Sequence, residues 1–241
     1  MNANSTRFSR PSDRCSAYDS ATSVGAGLLM TMRPSPTDEV RRMYEETADS
    51  YARMMDTEIG LPVYAGMLGR LRDRLANTPG PVVDTSCGSG HMLAMYHERY
   101  DQSRPLLGVD LSPAMVSIAA AKLGSDAQVV VGDMRDLSAV DSGSSSAVLN
   151  FFALHHLDDE GVQVAFREWH RILGPGGQVV VATWEGNGVI DYGDESDIVA
   201  LRYSGNDIAS WAQEAGFAIT QCAVEPVEDF PMDALYLEAG K

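Results

Sequence analysis

The chain has 241 residues, of which 44% are hydrophobic, and a formal net charge of −16. A chain of this length can bury one substantial core, but so negative a charge has the wrong sign for attraction to a phosphate backbone and argues against a nucleic-acid partner. No apolar run approaches the roughly 20 residues that a membrane span needs, and the three widely spaced cysteines form neither a disulfide framework nor a zinc pattern, so we predict a cytoplasmic protein without membrane contact or bound metal.

Residues 1–36 are predicted to be a disordered tail ahead of one folded domain over residues 37–241. The tail is rich in Ser, Asn, Gly and Pro, shows no periodicity, and carries four arginines against two acids. An arginine- and serine-rich start is also typical of an organelle transit peptide. A start site placed too far upstream would explain the same composition, since Met30 and Met32 lie just before the folded pattern begins.

Two helices are predicted ahead of the first strand. Ser35 is predicted to cap the first of them, with Pro36 at the first helical position. Apolar residues then follow helical spacing, and this spacing alone makes Tyr44 and Tyr51 part of a core-facing stripe. The second helix is predicted to end at residues 77–80, which include a proline and a glycine.

From residue 81 onward, predicted strands alternate with predicted helices. The strands comprise residues 81–84, 105–110, 127–133, 146–152, 177–184, about 218–225 and about 233–240. The helices comprise residues 91–99, 113–123, 159–173 and 206–216. Short apolar strands separated by helices are typical of a parallel sheet covered on both faces, so we predict an α/β fold. Ligands of such sheets bind at the carboxyl ends of the strands.

The first predicted strand leads into a glycine-containing loop, residues 82–93, with the sequence VVDTSCGSGHML. Such loops usually cradle phosphates. A nucleotide-phosphate loop, however, needs a lysine that is absent here, and a dinucleotide fingerprint needs a glycine where Leu93 stands. The acid at Asp84 would repel pyrophosphate and attract a cation.

Two further acids end the next two predicted strands. A carboxylate at Asp110 can accept hydrogen bonds from both hydroxyls of a ribose. Asp133, followed by the apolar Met134, offers an acceptor beside a side chain that suits an adenine ring. Together with the acid at Asp84, these residues predict a cationic adenosine without phosphates as the ligand.

Five sequence blocks in this order resemble the class I S-adenosylmethionine-dependent methyltransferases, particularly their small-molecule branch. The blocks are DTSCGSG, GVDLSPAMVSIA, GDMRDL, NFFALHHLDD and REWHRILGPGGQVVV, and the resemblance covers about residues 40–241. It implies a Rossmann-like fold with a seven-stranded, mostly parallel sheet, helices on both faces and an antiparallel last strand. It also implies S-adenosyl-L-methionine as the cofactor and a small molecule as the methyl acceptor.

The resemblance also implies which residues form the site. It assigns cofactor contacts to Asp84, Gly88, Gly90, Asp110, Leu111, Asp133, Met134 and Asn150, and it favours Tyr51 as a residue that covers the cofactor. Ser86 stands where the family usually has glycine, and its hydroxyl would either bond the cofactor carboxylate or weaken binding. His155 and His156 follow the fourth strand, and one of them is a candidate for the base that deprotonates the acceptor.

Methyl transfer to a small molecule has two alternatives. One is a methyltransferase acting on protein or nucleic acid, although residues 150–153 share only the first residue of the [DNS]-P-P-[YFW] signature of amide and amino-base methylation. The other is a cofactor-binding protein that transfers no methyl. Acids and aromatic residues over residues 184–197 would suit a cationic acceptor, but the composition of this stretch favours the simpler interpretation as a solvated loop.

Overall fold

A computed structural model describes residues 33–190, 192, 196–227 and 231–241. Residues 1–32 of the predicted tail lie outside the described residues. So do Asp191 and Asp194, on which the prediction of a cationic acceptor partly depends.

The folded part of the chain begins before residue 37. The Ser35 amide donates to the Val199 carbonyl at 2.9 Å, and the Ser35 hydroxyl accepts from the Val199 amide at 3.0 Å. The prediction that Ser35 caps the first helix is therefore wrong. The helix begins one residue later, with Pro36 at the N-cap position, and Pro36 makes no side-chain capping hydrogen bond.

Nine strands are present in the described part of the chain, and seven of them form the predicted central sheet. The strands are β1 (Val82–Asp84), β2 (Leu106–Asp110), β3 (Ala127–Val131), β4 (Ser145–Phe151), β5 (Leu173–Trp184), β6 (Gly188–Ile190), β7 (Ala200–Arg202), β8 (Ala218–Pro226) and β9 (Asp233–Gly240). The main sheet has the order β3-β2-β1-β4-β5-β9-β8. Neighbours among β1 to β5 are parallel, whereas β9 is antiparallel to both of its neighbours. The α/β class and the antiparallel last strand are therefore confirmed.

Helices cover both faces of this sheet. They are α1 (Thr37–Glu58), α2 (Pro62–Arg74), α3 (His91–Arg99), α4 (Pro113–Leu123), α5 (Asp159–Ile172) and α6 (Gly205–Glu214). Val83 and Val148 belong to a buried cluster with α5 and α6, whereas Val82 and Leu149 belong to a second cluster with α2, α3 and α4. The parallel strands are apolar on both faces because both faces are covered. No helix in the described ranges is both long and apolar enough to cross a membrane.

Two elements differ from the sequence prediction. β6 and β7 form a separate two-stranded antiparallel sheet, which the sequence did not indicate because three residues are too few to show alternation. β5 begins at Leu173 rather than at residue 177. Leu173 pairs with Ser145 and Gln178 pairs with Ala147, so the glycine-rich stretch between them forms an irregularity within the strand instead of a preceding turn.

A buried carboxylate holds α2 against the sheet. Glu238 on β9 is 1% exposed. It accepts hydrogen bonds from Arg70 Nε at 2.8 Å and Arg70 Nη2 at 2.5 Å, and a further one from Arg74 Nη1. Both arginines lie on α2 and remain partly exposed. Because a buried carboxylate without such partners is costly, the two arginines fix the position of α2.

Candidate active site

A cavity lies at the carboxyl ends of β1, β2 and β4, where ligands of parallel sheets bind, and α1 contributes to its wall. Seven of the predicted cofactor residues line it, namely Tyr51, Ser86, Gly88, Asp110, Leu111, Asp133 and Met134. Ten more residues complete the lining, namely Thr37, Val40, Tyr44, Thr85, Met115, Phe151, Phe152, Ala153, His156 and Leu157. The structure thus brings most of the predicted set together in one place.

Asp110 holds the glycine loop at the end of β2. Its two carboxylate oxygens accept hydrogen bonds from the backbone amides of Gly88, at 2.8 Å, and Ser112, at 2.9 Å. Burial raises the pKa of Asp110, although the two amide hydrogen bonds act in the opposite direction. Each oxygen keeps lone-pair capacity for one further hydrogen bond, which two vicinal hydroxyls could occupy.

Gly88 lets the ring of Tyr51 approach the loop. Its φ is +49°, in the left-handed region, and a β-carbon at this position would lie 3.2 Å from Tyr51 Cε1. The position therefore requires glycine both for its backbone conformation and for space. As a result, Tyr51 on α1 packs directly over the loop, and its role in covering a cofactor stays a prediction.

Asp84 and Gly90 lie outside the cavity lining. Asp84 is 1% exposed and accepts a hydrogen bond from the Ser86 amide at 3.2 Å. Burial raises the pKa of Asp84 to about 7. Gly90 has a φ of +82°, and a β-carbon there would lie 3.1 Å from Ala119 on α4. Both residues shape the loop from behind, and their direct contact with a cofactor stays a prediction.

Asn150 also lies behind the cavity wall and is fully buried. Its Nδ2 donates to Thr85 Oγ1 at 3.1 Å, to Ser86 Oγ at 3.0 Å and to Met134 Sδ at 3.5 Å. The hydroxyl of Ser86, which replaces the family's usual glycine, is thus held by this amide. Asn150 Oδ1 has no hydrogen-bond partner among the described residues, so it remains an acceptor for a bound donor such as an ammonium group.

Asp133 is engaged by a neighbouring arginine. Arg135 donates through its backbone amide to Asp133 Oδ1 at 2.8 Å and through its guanidinium to both carboxylate oxygens. Burial alone would raise the pKa of Asp133, but the hydrogen bonds from Arg135 outweigh burial and lower it. The predicted adenine acceptor is therefore present at the cavity as an ionised carboxylate, although it is not free of other partners.

The two candidate histidines occupy different environments. His156 lines the cavity, and its Nε2 lies 2.9 Å from the hydroxyl of Tyr44 on α1. His155 is 3% exposed and lies outside the cavity lining. Burial lowers the pKa of His156 to about 4, and burial together with the neighbouring His156 lowers the pKa of His155 well below its ordinary value. Both rings are therefore neutral at pH 7, and only His156 is placed to face an acceptor.

This low pKa predicts a pH-dependent stability difference. The unfolded His156 ring binds a proton near pH 6.5, but the folded ring does so only near pH 4. The stability of the wild type relative to a His156→Phe variant should therefore be highest above pH 6.5 and fall on the order of 2 kcal/mol as the pH drops towards 4. Urea denaturation of both proteins at several pH values measures this difference. Asp84, whose pKa is also shifted, is common to both proteins, and a constant difference would contradict the prediction.

Phe152 has a strained backbone at the edge of the cavity. Its φ of +50° is the only positive value of a non-glycine residue in the described ranges. Its amide donates to the Ala182 carbonyl at 2.7 Å, and its ring centroid lies 4.7 Å from that of Trp184. Such conformations persist only where the surrounding structure enforces them, and they cluster at functional sites.

Several lining residues were not predicted from the sequence. Tyr44 was assigned to the core because helical spacing shows which residues share a face but not what that face covers. Thr37 and Val40 were missed for the same reason. Phe151 and Phe152 are the last two residues of the fourth predicted strand, so their position at its carboxyl end was a signal that could have identified them.

The fold and the cavity together define a class of protein. Rossmann-like methyltransferases share three features with this chain. They have a parallel sheet with one antiparallel strand, a glycine loop after β1, and acids at or beyond the ends of β2 and β3. The available groups also fit S-adenosylmethionine. Asp110 offers acceptors for a ribose, Asp133 and Met134 an acceptor and an apolar surface for adenine, and Asn150 Oδ1 a buried acceptor for an ammonium group.

Comparisons with known proteins agree with this class. Residues 82–177 match a family model described as a methyltransferase domain. An uncharacterized methyltransferase of Bacillus licheniformis is 29% identical over 145 residues, which cover 58% of this chain and 65% of that protein. The methyltransferase ucsB of Acremonium sp is 28% identical over 221 residues, which cover 81% of this chain and 76% of that protein.

A solved structure shows the same fold. The 1,6-didemethyltoxoflavin-N1-methyltransferase of Burkholderia thailandensis superposes with a TM-score of 0.65 at 19% identity, over 90% of this chain and 93% of that one. The chain is thus similar to S-adenosylmethionine-dependent methyltransferases in sequence over residues 82–177 and in overall fold, and it spans slightly less than two thirds of the length of the Bacillus licheniformis relative.

Proposed function

We propose that the protein transfers a methyl group from S-adenosyl-L-methionine to a small, uncharged acceptor. The observation that carries this proposal is the composition of the cavity, which has two distinct parts. The acids and the glycine loop lie at the ends of β1 to β3. The remaining wall is formed by Val40, Tyr44, Phe151, Phe152, Ala153, His156 and Leu157.

The cofactor supplies an electrophilic methyl group, so the chain mainly has to hold two ligands in line and exclude water. Asp110 would hold the ribose hydroxyls, and Asp133 with Met134 would hold the adenine. Tyr51, which packs over Gly88 in the glycine loop, would limit access of water from the side of α1. Asn150 Oδ1 would accept a hydrogen bond from the ammonium group.

The acceptor part of the wall supports an uncharged, largely apolar substrate. Its described lining residues have apolar side chains, with two exceptions. These are Tyr44 and His156, whose hydroxyl and ring nitrogen form one polar pair. A hydroxyl or amine on the acceptor could therefore hydrogen-bond at His156, whose neutral ring can take up its proton. The earlier prediction of a cationic acceptor depends partly on Asp191 and Asp194, outside the described residues, and it stays an alternative.

Formation of S-adenosylhomocysteine tests the proposal. The purified protein is incubated with S-adenosylmethionine and a metabolite extract, or with panels of neutral phenols and enols, amines, peptides and RNA, and products are identified by mass shift. We expect turnover with neutral small molecules. Turnover only with peptide or RNA would support the macromolecular alternative. Binding of the cofactor without methylation of any acceptor would support a role that involves no methyl transfer.

Removal of the Asp110 carboxylate should weaken cofactor binding. An Asp110→Ala variant loses charge-assisted hydrogen bonds to the ribose together with the two amide contacts that order the loop. We expect a loss of roughly 1.5–3 kcal/mol in the binding free energy of S-adenosylhomocysteine, measured by calorimetry. Asp126→Ala is a matched control, because this exposed acid lies outside the cavity lining, where it pairs with His97 at 3.5 Å. Equal affinity of both variants would remove Asp110 from the site.

A further inference from the structure

Arg135 links the acid at the predicted adenine end of the cavity to helix α1. Its Nη2 donates to Asp133 Oδ2 at 2.5 Å and also to the hydroxyl of Thr37 at 3.1 Å. Thr37 is the first residue of α1, and both Thr37 and Asp133 line the cavity. The guanidinium of Arg135 therefore contacts both Asp133, which follows β3, and Thr37 at the start of α1.

The contacts leave Asp133 with a single directed acceptor position. Its Oδ1 accepts from the Arg135 amide at 2.8 Å and from Arg135 Nε at 2.9 Å, which uses both lone pairs. Its Oδ2 accepts mainly from Nη2, with Nε at a longer 3.2 Å. One lone pair on Oδ2 therefore remains free to accept a hydrogen bond. An adenine amino group can donate one N–H to this position.

A planar guanidinium fixes the orientation of the Asp133 carboxylate better than the ammonium group of a lysine would. Two N–H groups on one rigid fork fix the rotation of the carboxylate about its own axis, whereas an ammonium group acts as a point charge. The ion pair is only partly exposed, with side-chain exposures of 32% for Arg135 and 26% for Asp133. Removal of the fork would thus release the carboxylate to rotate and to hydrate.

We propose that Arg135 is a positioning residue that makes Asp133 selective for the amino group of adenine and couples this recognition to the seating of α1. The inference rests on the proposed function, because it requires an adenosine cofactor in this cavity. It concerns the choice between ligands and the order of α1, both of which can be measured without turnover.

The first test compares two ligands in an Arg135→Gln variant. S-adenosylhomocysteine carries the 6-amino group, whereas S-inosylhomocysteine carries an oxygen there and cannot donate from this position. By calorimetry, the wild type should prefer S-adenosylhomocysteine at least about tenfold. The variant should lose most of this preference, because its Asp133 is no longer fixed. Arg41→Gln is the matched control. Within the described residues Arg41 forms salt bridges with Asp38 and Glu45, both on α1 itself, so this variant should keep the full preference.

The second test separates the two halves of the proposal. Thr37→Val removes the bond to α1 but leaves the fork on Asp133 intact, so it should keep the ligand preference and raise hydrogen exchange in the first turn of α1. Arg135→Lys, which retains the charge, should lose the preference although its fold and melting temperature are kept.

Three results would overturn the inference. They are an equal loss of affinity for both ligands in the Arg135 variants, an absence of preference in the wild type, and unchanged exchange of α1 in Thr37→Val. A wild type that binds neither ligand would instead overturn the proposed function itself.

Discussion

Replacement of His156 by alanine is expected to lower methyl-transfer turnover about 100-fold while cofactor affinity stays nearly unchanged. His156 is a titratable imidazole in the cavity wall, and its ring shares a hydrogen bond with the Tyr44 hydroxyl. General bases typically contribute about 10²–10⁴-fold. Because burial lowers the pKa of His156 to about 4, the driving force for proton uptake is small and the lower end of that range applies. Turnover is measured with an acceptor identified by S-adenosylhomocysteine formation.

Two further variants define what His156 does. Tyr44→Phe removes only the hydroxyl and should cause a smaller loss, since the ring and its packing remain. His97→Ala is the matched control, because His97 lies on α3 outside the cavity lining and its loss should leave turnover unchanged. Near wild-type activity in His156→Ala would show that the acceptor ionises without this residue. His155→Ala should lower stability rather than catalysis, since that side chain is buried outside the lining.

Removal of both arginines that face Glu238 is expected to destabilise the protein by about 3–5 kcal/mol. The Arg70→Ala, Arg74→Ala double variant leaves Glu238 1% exposed on β9 with its ion-pair partners gone. An unpaired buried carboxylate carries a penalty of this size. Urea denaturation gives the free energy of unfolding.

A third substitution separates lost charge pairing from lost packing. In the double-variant background, Glu238→Gln removes the uncompensated charge and should restore most of the stability, whereas it should cost stability in the wild-type background. If Glu238→Gln restores nothing, the arginines act through packing of their aliphatic stems. The assignment of Glu238 as the electrostatic anchor of α2 would then be wrong.

The central sheet was predictable because its strands are short, apolar and separated by helices. The two buried clusters show why this pattern is so clear, since Val82 and Val83 face opposite sides of the sheet and both are covered. The register irregularity at Leu173 was not predictable. Glycines and a proline usually mark turns, and the local sequence does not reveal that Ser145 pairs with this stretch.

The cavity lining was predictable where a lining residue lies at the end of a predicted strand. Asp110 and Asp133 were identified in this way, and both line the cavity. The sequence did not reveal contacts made by residues far apart in the chain, such as Tyr44 with His156 or Arg135 with Thr37. Nor did it distinguish His155 from His156, because the turn of 3₁₀-helix at residues 154–156 decides which ring faces the cavity.

The left-handed backbone at Phe152 has a consequence for any attempt to make the protein more robust. A glycine there would remove a conformational cost of order 1–3 kcal/mol, but it would also lose the packing of a ring that lies against a buried hydrophobic cluster. The same change would delete a ring that lines the cavity and packs 4.7 Å from the Trp184 ring. Relief of backbone strain at position 152 would therefore cost both hydrophobic packing and part of the cavity wall, so stabilising substitutions are better sought elsewhere in the chain.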